Sequence, residues 1–258
     1  MNAEILAVGT ELLHGDIVNT NAQYISREFA KIGIDVHFHT VVGDNAKRMK
    51  MAFETALGRA DIVICTGGLG PTQDDITKDI LAEYLGREMI LDEGSKLHLE
   101  QRFAMRNRIM TQNNLRQAYF PEGSVILKND NGTANGCIIE ENSKTVILLP
   151  GPPREVIPLM EEYVVEFLMK YSNEVVVCSK IRVHNLGEST AETLIMDLIE
   201  NQTNPTIASY AGDSSVVFRI TAKAESKEAG RKLIEPVEKE LLRRFGDNGK
   251  LIEEELQI

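Results

Sequence analysis

Short runs of β-branched and aliphatic residues alternate, through the first third of the chain, with longer stretches in which apolar positions recur every three or four residues. That is the pattern of strands crossed over by amphipathic helices. It predicts strands at residues 3–8, 34–42 and 61–66, with helices at about 21–32 and 46–57 between them. Gly33 falls where a left-handed residue closes the first helix. The run Ile62, Val63, Ile64, Cys65 has no polar interruption, which is expected of a strand buried on both faces in a parallel sheet covered by helices on each side.

Farther along the pattern loosens. Helices are expected at residues 77–84 and 93–106, a Gly/Asn-rich loop at 129–136, and strands at 137–140 and 145–149. Pro152 and Pro153 mark the start of a helix over about 154–170, because proline is tolerated in a first turn, and Pro158 is placed to kink it. After Tyr171 the pattern restarts as strand 174–183, helix 188–200, strands 206–210 and 216–222, and helix 226–245. The expected fold class is α/β: a three-layer, doubly wound, mostly parallel sheet over residues 1–171, followed by a small α+β domain over 172–258. There is neither an internal repeat nor a low-complexity segment.

Composition adds limits. Apolar residues make up 43% of the 258 and charged residues 26%, the usage of a chain that folds around its own core. The formal charge of -11 argues against a nucleic-acid partner, since a phosphate backbone meets net repulsion. Cys65, Cys137 and Cys178 are far apart, with no CxxC pair and no histidine at metal-ligand spacing, as expected of reduced thiols in a cytoplasmic protein. The first residues lack a basic stretch followed by a long apolar run, and no segment approaches about 18 consecutive apolar residues, so neither a signal peptide nor a membrane span is expected.

The candidate chemistry lies in loops that leave the strands at one edge. Thr66-Gly67-Gly68-Leu69-Gly70-Pro71-Thr72-Gln73-Asp74-Asp75-Ile76-Thr77 joins a buried strand to a helix, at the edge where open α/β sheets bind ligands. Glycines there let backbone N–H groups approach an anion, and the helix start adds donors, so a phosphate or pyrophosphate is the natural occupant. Asp74 and Asp75 suit either a helix cap or a divalent cation. Gly9, Thr10, Glu11, Asn19 and Asn21 leave the first strand toward the same edge, with ligand contact, turn chemistry or a cap at Asn19 or Thr20 all open to them. Asp44 ends the second strand, where it caps the next helix or faces Asp74 and Asp75; three converging acids would imply a metal. His37 and His39 share one strand face and, without further ligands, read as a solvated or packed pair. No G-x-S-x-G, H-E-x-x-H or Walker lysine is present, which removes the serine-hydrolase, zincin and P-loop readings.

Taken in order, GTELLHG, NTN, GD, TGGLGPTQDD, Asn114, Gln117-Ala118, Pro121, NDNGTANG and LPGPPRE resemble the CinA (competence/damage-inducible) family over about residues 3–170. The first domain resembles the molybdopterin-binding domain of MoaB and MogA proteins. The resemblance implies a nucleotide-binding domain that hydrolyses the pyrophosphate of ADP-ribose with a divalent metal (Mg, Mn or Co), with K as a further ion. Asp75 matches the acid after the family's Gly-rich loop, and Asp44 matches the acid on the neighbouring loop. Residues 174–246 resemble the family's KH-like domain, yet HNLGEST lacks the GxxG clamp used on RNA backbone, and residues 172–258 carry 11 basic against 15 acidic residues. An interface in a homodimer is therefore expected of it, rather than RNA binding. The family's usual third domain, a nicotinamide mononucleotide deamidase, has no counterpart before LIEEELQI, so that activity is not expected here.

On this reading Asp44, Asp74 and Asp75 hold a divalent ion against the pyrophosphate, and backbone N–H groups of Gly67, Gly68, Leu69 and Gly70 steady its negative oxygens while water attacks. Gly9, Thr10, Glu11, Asn19, Asn21, Thr72, Thr133, Asn135 and Arg154 complete the pocket, with Glu11 toward the ribose and Arg154 toward phosphate. Two rivals stand beside it: a molybdopterin-related step such as adenylyl transfer, and a non-catalytic nucleotide-binding scaffold linked to competence.

Overall fold

The structure is a computed structural model that describes residues 1–171, 175–211 and 215–252. They form two compact units, one of Met1–Ala30 and Ile34–Lys170, the other grouping Lys31–Gly33 with the chain beyond Lys170. The expected boundary at residue 172, and Glu174 as the first residue of the following strand, lie outside the described residues.

The larger unit begins with β1 (Asn2–Val8), α1 (Thr10–His14), α2 (Thr20–Lys31), β2 (Asp35–Val42), α3 (Ala46–Arg59), β3 (Ile62–Thr66) and α4 (Thr77–Leu85). It continues with β4 (Met89–Leu91), α5 (Glu93–Met105), a 3₁₀ segment (Gln112–Ala118), β5 (Tyr119–Pro121), β6 (Val125–Leu127), β7 (Gly136–Glu141) and β8 (Lys144–Leu149). Last come α6 (Pro153–Leu159), a π-helical turn (Met160–Val164) and α7 (Val165–Met169). Six strands form one sheet in the order β2-β1-β3-β8-β7-β6. The first four are parallel, β7 is antiparallel to β8, and β6 is antiparallel to β7. All five residues of β3 are buried, as its apolar run predicts, whereas β2 lies at the edge and buries little.

Two faces of this sheet are covered, which makes three layers. Leu6, Val63, Cys65, Val146 and Leu148 share one face with Met49 and Phe53 of α3 and Leu81 of α4. Ile5, Ile62, Ile64, Ile138 and Ile147 lie on the opposite face and are equally buried, as are Ala22, Ile25 and Phe29 of α2 and Val156 and Leu159 of α6. Burying each large aliphatic side chain contributes roughly 1.5–3 kcal/mol, and this core holds the loops at the strand ends in place.

Three departures from the expected elements have physical causes. Strands β4, β5 and β6 have three residues each, too few to show a period. Pro158 lies inside α6 without an N–H for the helical ladder, and the next turn widens to a π-helix before α7 resumes. The single helix expected at 188–200 is two, α8 (Glu188–Thr193) and α9 (Met196–Glu200), because Ile195 leaves helical geometry to bury its side chain. Arg244 donates to the Leu194 carbonyl freed at that break.

The smaller unit contains β9 (Val175–His184), α8, α9, β10 (Thr206–Ala211), β11 (Ser215–Ala224), α10 (Lys227–Phe245) and β12 (Gly249–Ile252). Its antiparallel sheet has the order β10-β11-β9-β12. Alternate residues of β11 are buried, and Phe218 stacks on Phe245 of α10 with ring centres 5.0 Å apart. Ser226 caps α10 by accepting from the Ala229 N–H. No described helix is long and apolar enough to cross a membrane.

Candidate functional site

The parallel strands β2, β1, β3 and β8 are consecutive in the sheet, so their C-terminal ends emerge on one rim. Hydrogen bonds tie the four loops leaving them. Gly9, at the end of β1, donates its N–H to the Val42 carbonyl of β2 at 3.0 Å. Gly67 donates to the Leu149 carbonyl of β8 at 3.0 Å. Asn21 Nδ2 donates to the Gly151 carbonyl at 2.7 Å, joining the start of α2 to the LPGPPRE loop.

The Gly-rich turn is shaped by contacts that only glycine permits. Gly67 and Gly68 have φ of 98° and 69°, the left-handed region where a side chain is strained. A Cβ on Gly67 would run into the Val8 carbonyl, and one on Gly68 into Thr77 Oγ1. Thr77 is buried at the start of α4 and donates its hydroxyl to the Gly67 carbonyl at 2.9 Å and its N–H to the Gly68 carbonyl at 3.2 Å. Among the described residues, no hydrogen bond uses the N–H groups of Gly68, Leu69 or Gly70. Gly67 differs: its N–H already serves the sheet. The Leu69 side chain belongs to the apolar core, so only its backbone is available to a ligand.

The acids are held by their own loops. Asp44 Oδ2 accepts from both the N–H and the hydroxyl of Thr10, at 2.9 and 2.7 Å. The cap of α3 comes instead from Asn45, which accepts from the Arg48 N–H at 3.1 Å. Asp75 Oδ2 accepts from the N–H and hydroxyl of Thr72, also at 2.9 and 2.7 Å, so it closes the turn before α4 rather than capping the helix. Asp74 is exposed. Among the described residues, no group of three or more His, Cys, Asp or Glu side chains is arranged to hold a metal ion. Asp44, Asp74 and Asp75 thus form no ready three-carboxylate cage; two of them are engaged in local turns instead. His37 and His39 are exposed on the edge strand, and His39 pairs with Ser26 at 2.9 Å.

The remaining candidates divide by what they already touch. Glu11 is exposed, with its carboxylate folded over Gly9, where an added Cβ would lie 2.5 Å from Oε1. Asn19 accepts from the Ala22 N–H at 3.0 Å, the helix cap that its position allows. Thr133 accepts from Gln117 Nε2 at 3.1 Å. Asn135 is buried with both ends of its amide used, by the Asn129 N–H and the Ser95 hydroxyl, at 2.8 Å each. Arg154 is exposed, and its Nε lies 3.8 Å from Glu155.

Several residues that the motifs did not single out support this rim. Lys78 is buried and donates to the carbonyls of Arg116 and Gln117 at 3.2 and 3.0 Å, and burial pulls its ammonium down to about 8. Arg116 donates to the Thr72 carbonyl at 3.1 Å and pairs with Asp79. The 3₁₀ segment therefore clasps the Gly-rich turn on one side and Thr133 on the other. Glu155, also buried, accepts from Asn129 Nδ2 at 2.7 Å and fills the space beside Gly132. The detectable signal for Lys78 was its place on the apolar face of α4, in line with Leu81 and Ala82.

Two family profiles divide the chain. Residues 4–170 match the family described as a probable molybdopterin binding domain, and residues 179–248 match the damage-inducible protein CinA KH domain. The chain belongs to the CinA family. Its CinA relatives include a protein of Clostridium acetobutylicum named for competence-damage inducibility, 54% identical over 248 residues, and a CinA-like protein of Dictyoglomus turgidum, 53% identical over 247. Each alignment covers 96% of this chain and 60% of the relative, so the chain spans about 60% of the length of these relatives. The solved CinA structure from Thermoplasma acidophilum is 34% identical, with a TM-score of 0.60, over 64% of this chain and 98% of that one.

Proposed function

We propose that the larger unit of this CinA-family chain hydrolyses a nucleoside diphosphate-linked compound, with ADP-ribose as its substrate. The observation that carries this reading is the rim itself: unengaged N–H groups of Gly68, Leu69 and Gly70, with the Asp75 carboxylate against Gly70 and the Asp44 carboxylate tied to Thr10 at the end of β1, each acid with one oxygen committed to a threonine. Asp44 Oδ1 and Asp75 Oδ1 have no protein donor among the described residues. A magnesium-type ion is bound by one or two carboxylates together with substrate phosphates rather than by an all-protein cage, and each of these oxygens offers one such ligand. Such an ion, Mg, Mn or Co, would neutralise the diphosphate and polarise one phosphorus.

The chain's own residues supply the rest. The N–H groups of Gly68, Leu69 and Gly70 bind the non-bridging oxygens as negative charge builds on them. Exposed Asp74 accepts a proton from the attacking water. The new bond joins the water oxygen to phosphorus, the bridging P–O bond breaks, and AMP and ribose 5-phosphate leave. Glu11 lies at the end of β1 for the ribose hydroxyls, and exposed Arg154 reaches phosphate from the α6 side.

The test is release of AMP and ribose 5-phosphate from ADP-ribose by the purified chain, with each metal and with a chelator. Metal-dependent release is expected. Tight ADP-ribose binding with no turnover under any metal would overturn the hydrolase reading in favour of a nucleotide-binding scaffold. The family description favours a second reading, a molybdopterin-related step; saturable pterin binding without ADP-ribose turnover would support it.

A further inference from the structure

The four strands of the smaller unit contain no Asp or Glu, although the whole chain has 39 acidic residues against 28 basic. They do carry Lys180, Arg182, Arg219, Lys223 and Lys250, and the register places all five on one face. Lys180 lies opposite Arg219, Arg182 lies opposite Lys250, and Lys223 follows Arg219 at an even spacing. The other face holds Ile181, Val183, Phe218 and Ile220 against α10. Tyr210 pairs with Val217 and so shares the basic face, where it is 53% exposed.

Arg219 is tied into the sheet, donating to Cys178 Sγ at 3.1 Å; among the described residues, the side chains of Lys180, Arg182 and Lys250 are not. Like charges directly opposite in an antiparallel pair are destabilising, and here two such pairs sit side by side. Lys180, Arg182 and Lys250 are exposed and, among the described residues, make no ion pair. On α10, by contrast, Arg231, Lys232, Lys239, Arg243 and Arg244 each meet a carboxylate. Unpaired cations thus cluster on the open face, while α10 leaves Lys227, in its first turn, without an ion pair among the described residues.

That face suits a polyanion. A two-fold contact between copies would set it against itself, and protein interfaces are depleted in lysine at their centres. A single nucleic-acid strand meets both features, since its phosphates are neutralised by Lys and Arg while an exposed aromatic ring offers a platform for a base. We propose that the open sheet face of the smaller unit binds single-stranded nucleic acid, through phosphate contacts to Lys180, Arg182 and Lys250 and stacking of a base on Tyr210. The missing GxxG clamp removes the loop route but not this one, and the net charge of -11 averages over surfaces that the strand never meets.

The test uses the whole chain with fluorescein-labelled oligothymidylate and oligouridylate, read by anisotropy between about 50 and about 200 mM salt. Binding that weakens with salt is expected, and each of Lys180→Gln, Arg182→Gln and Lys250→Gln should lower the salt slope by about 0.7. Tyr210→Ala should weaken binding by about 5- to 100-fold with the slope unchanged. The glutamine variants remove repulsion and should melt at or above the wild-type temperature; were they to unfold, the charges would be serving the fold and the proposal would fall. It would fall equally if neither oligonucleotide bound, if the triple glutamine variant bound as well as wild type, or if that variant dissolved an oligomer of a chain that binds no oligonucleotide. The last result would give the face to an acidic protein surface.

Discussion

Asp44 and Thr10 are joined twice, through the Thr10 N–H and hydroxyl to one carboxylate oxygen, and this locks together the ends of two neighbouring strands. The arrangement separates a structural role from a chemical one. Asp44→Asn keeps an oxygen acceptor for Thr10 and removes only the charge. Stability should change by about 1 kcal/mol or less, while ADP-ribose turnover should fall about 10- to 100-fold if the charge holds a cation. Chemical denaturation and steady-state kinetics on the same preparation read both. Wild-type turnover in Asp44→Asn would reduce the residue to a loop tie.

Asp75 and Thr72 repeat this pattern next to the Gly-rich turn. Asp75→Ala should lower kcat/KM by about a hundredfold or more through lost transition-state charge stabilisation. Thr72→Val, which keeps the carboxylate and loses one hydrogen bond, should cost about 1 kcal/mol of stability and far less activity. If the two variants lost activity equally, the turn's shape rather than the Asp75 charge would be what matters.

The long elements were legible in the sequence because their periods are long enough to register: β1, α2, β2, α3, β3 and α10 all fall close to where the pattern places them. Gly33, at φ 76°, closes α2 as its position predicts. What escaped was set by distant partners. Lys78 stands on the apolar face of α4, but the carbonyls of Arg116 and Gln117 that meet its ammonium lie some forty positions on and leave no local trace. The amide of Asn135 resembles a ligand contact, yet Ser95 and Asn129 consume it. Asp44 and Asn45 are chemically interchangeable as caps, and only the nearness of Thr10 decides which one caps α3. A local motif names the rim; the hydrogen-bond partners that hold it are non-local.

Lys78 gives the fold a pH dependence whose sign can be worked out. Burial lowers its ammonium to about 8, against 10.5 for the free side chain. Between those values the unfolded chain binds more protons than the folded one, so this residue's contribution to stability grows as pH rises from about 8 to about 10.5 and is lost as pH falls back through 8. The full swing is on the order of 3 kcal/mol. The stability of wild type relative to Lys78→Met should therefore rise with pH across that window in urea titrations. A constant difference would mean that Lys78 titrates normally in the folded chain.

Gly68 and Thr77 offer a test of the turn itself. Gly68→Ala meets two separate penalties, the left-handed φ of 69° and the collision of the added Cβ with Thr77 Oγ1. The first costs about 1–2 kcal/mol, and relieving the second by a shift of Thr77 would break the bond to the Gly67 carbonyl, about 1 kcal/mol more. Thr77→Ala alone loses that bond and leaves the Gly67 carbonyl unpaired. In the double variant the oxygen that the new methyl group would strike is gone, so only the backbone strain is added to the loss already suffered. The double variant should then be less destabilised than the sum of the singles, by about 0.5–2 kcal/mol in a double-mutant cycle. Strict additivity would show that position 68 is sensitive to φ alone, and that the Thr77 hydroxyl does not wall the turn.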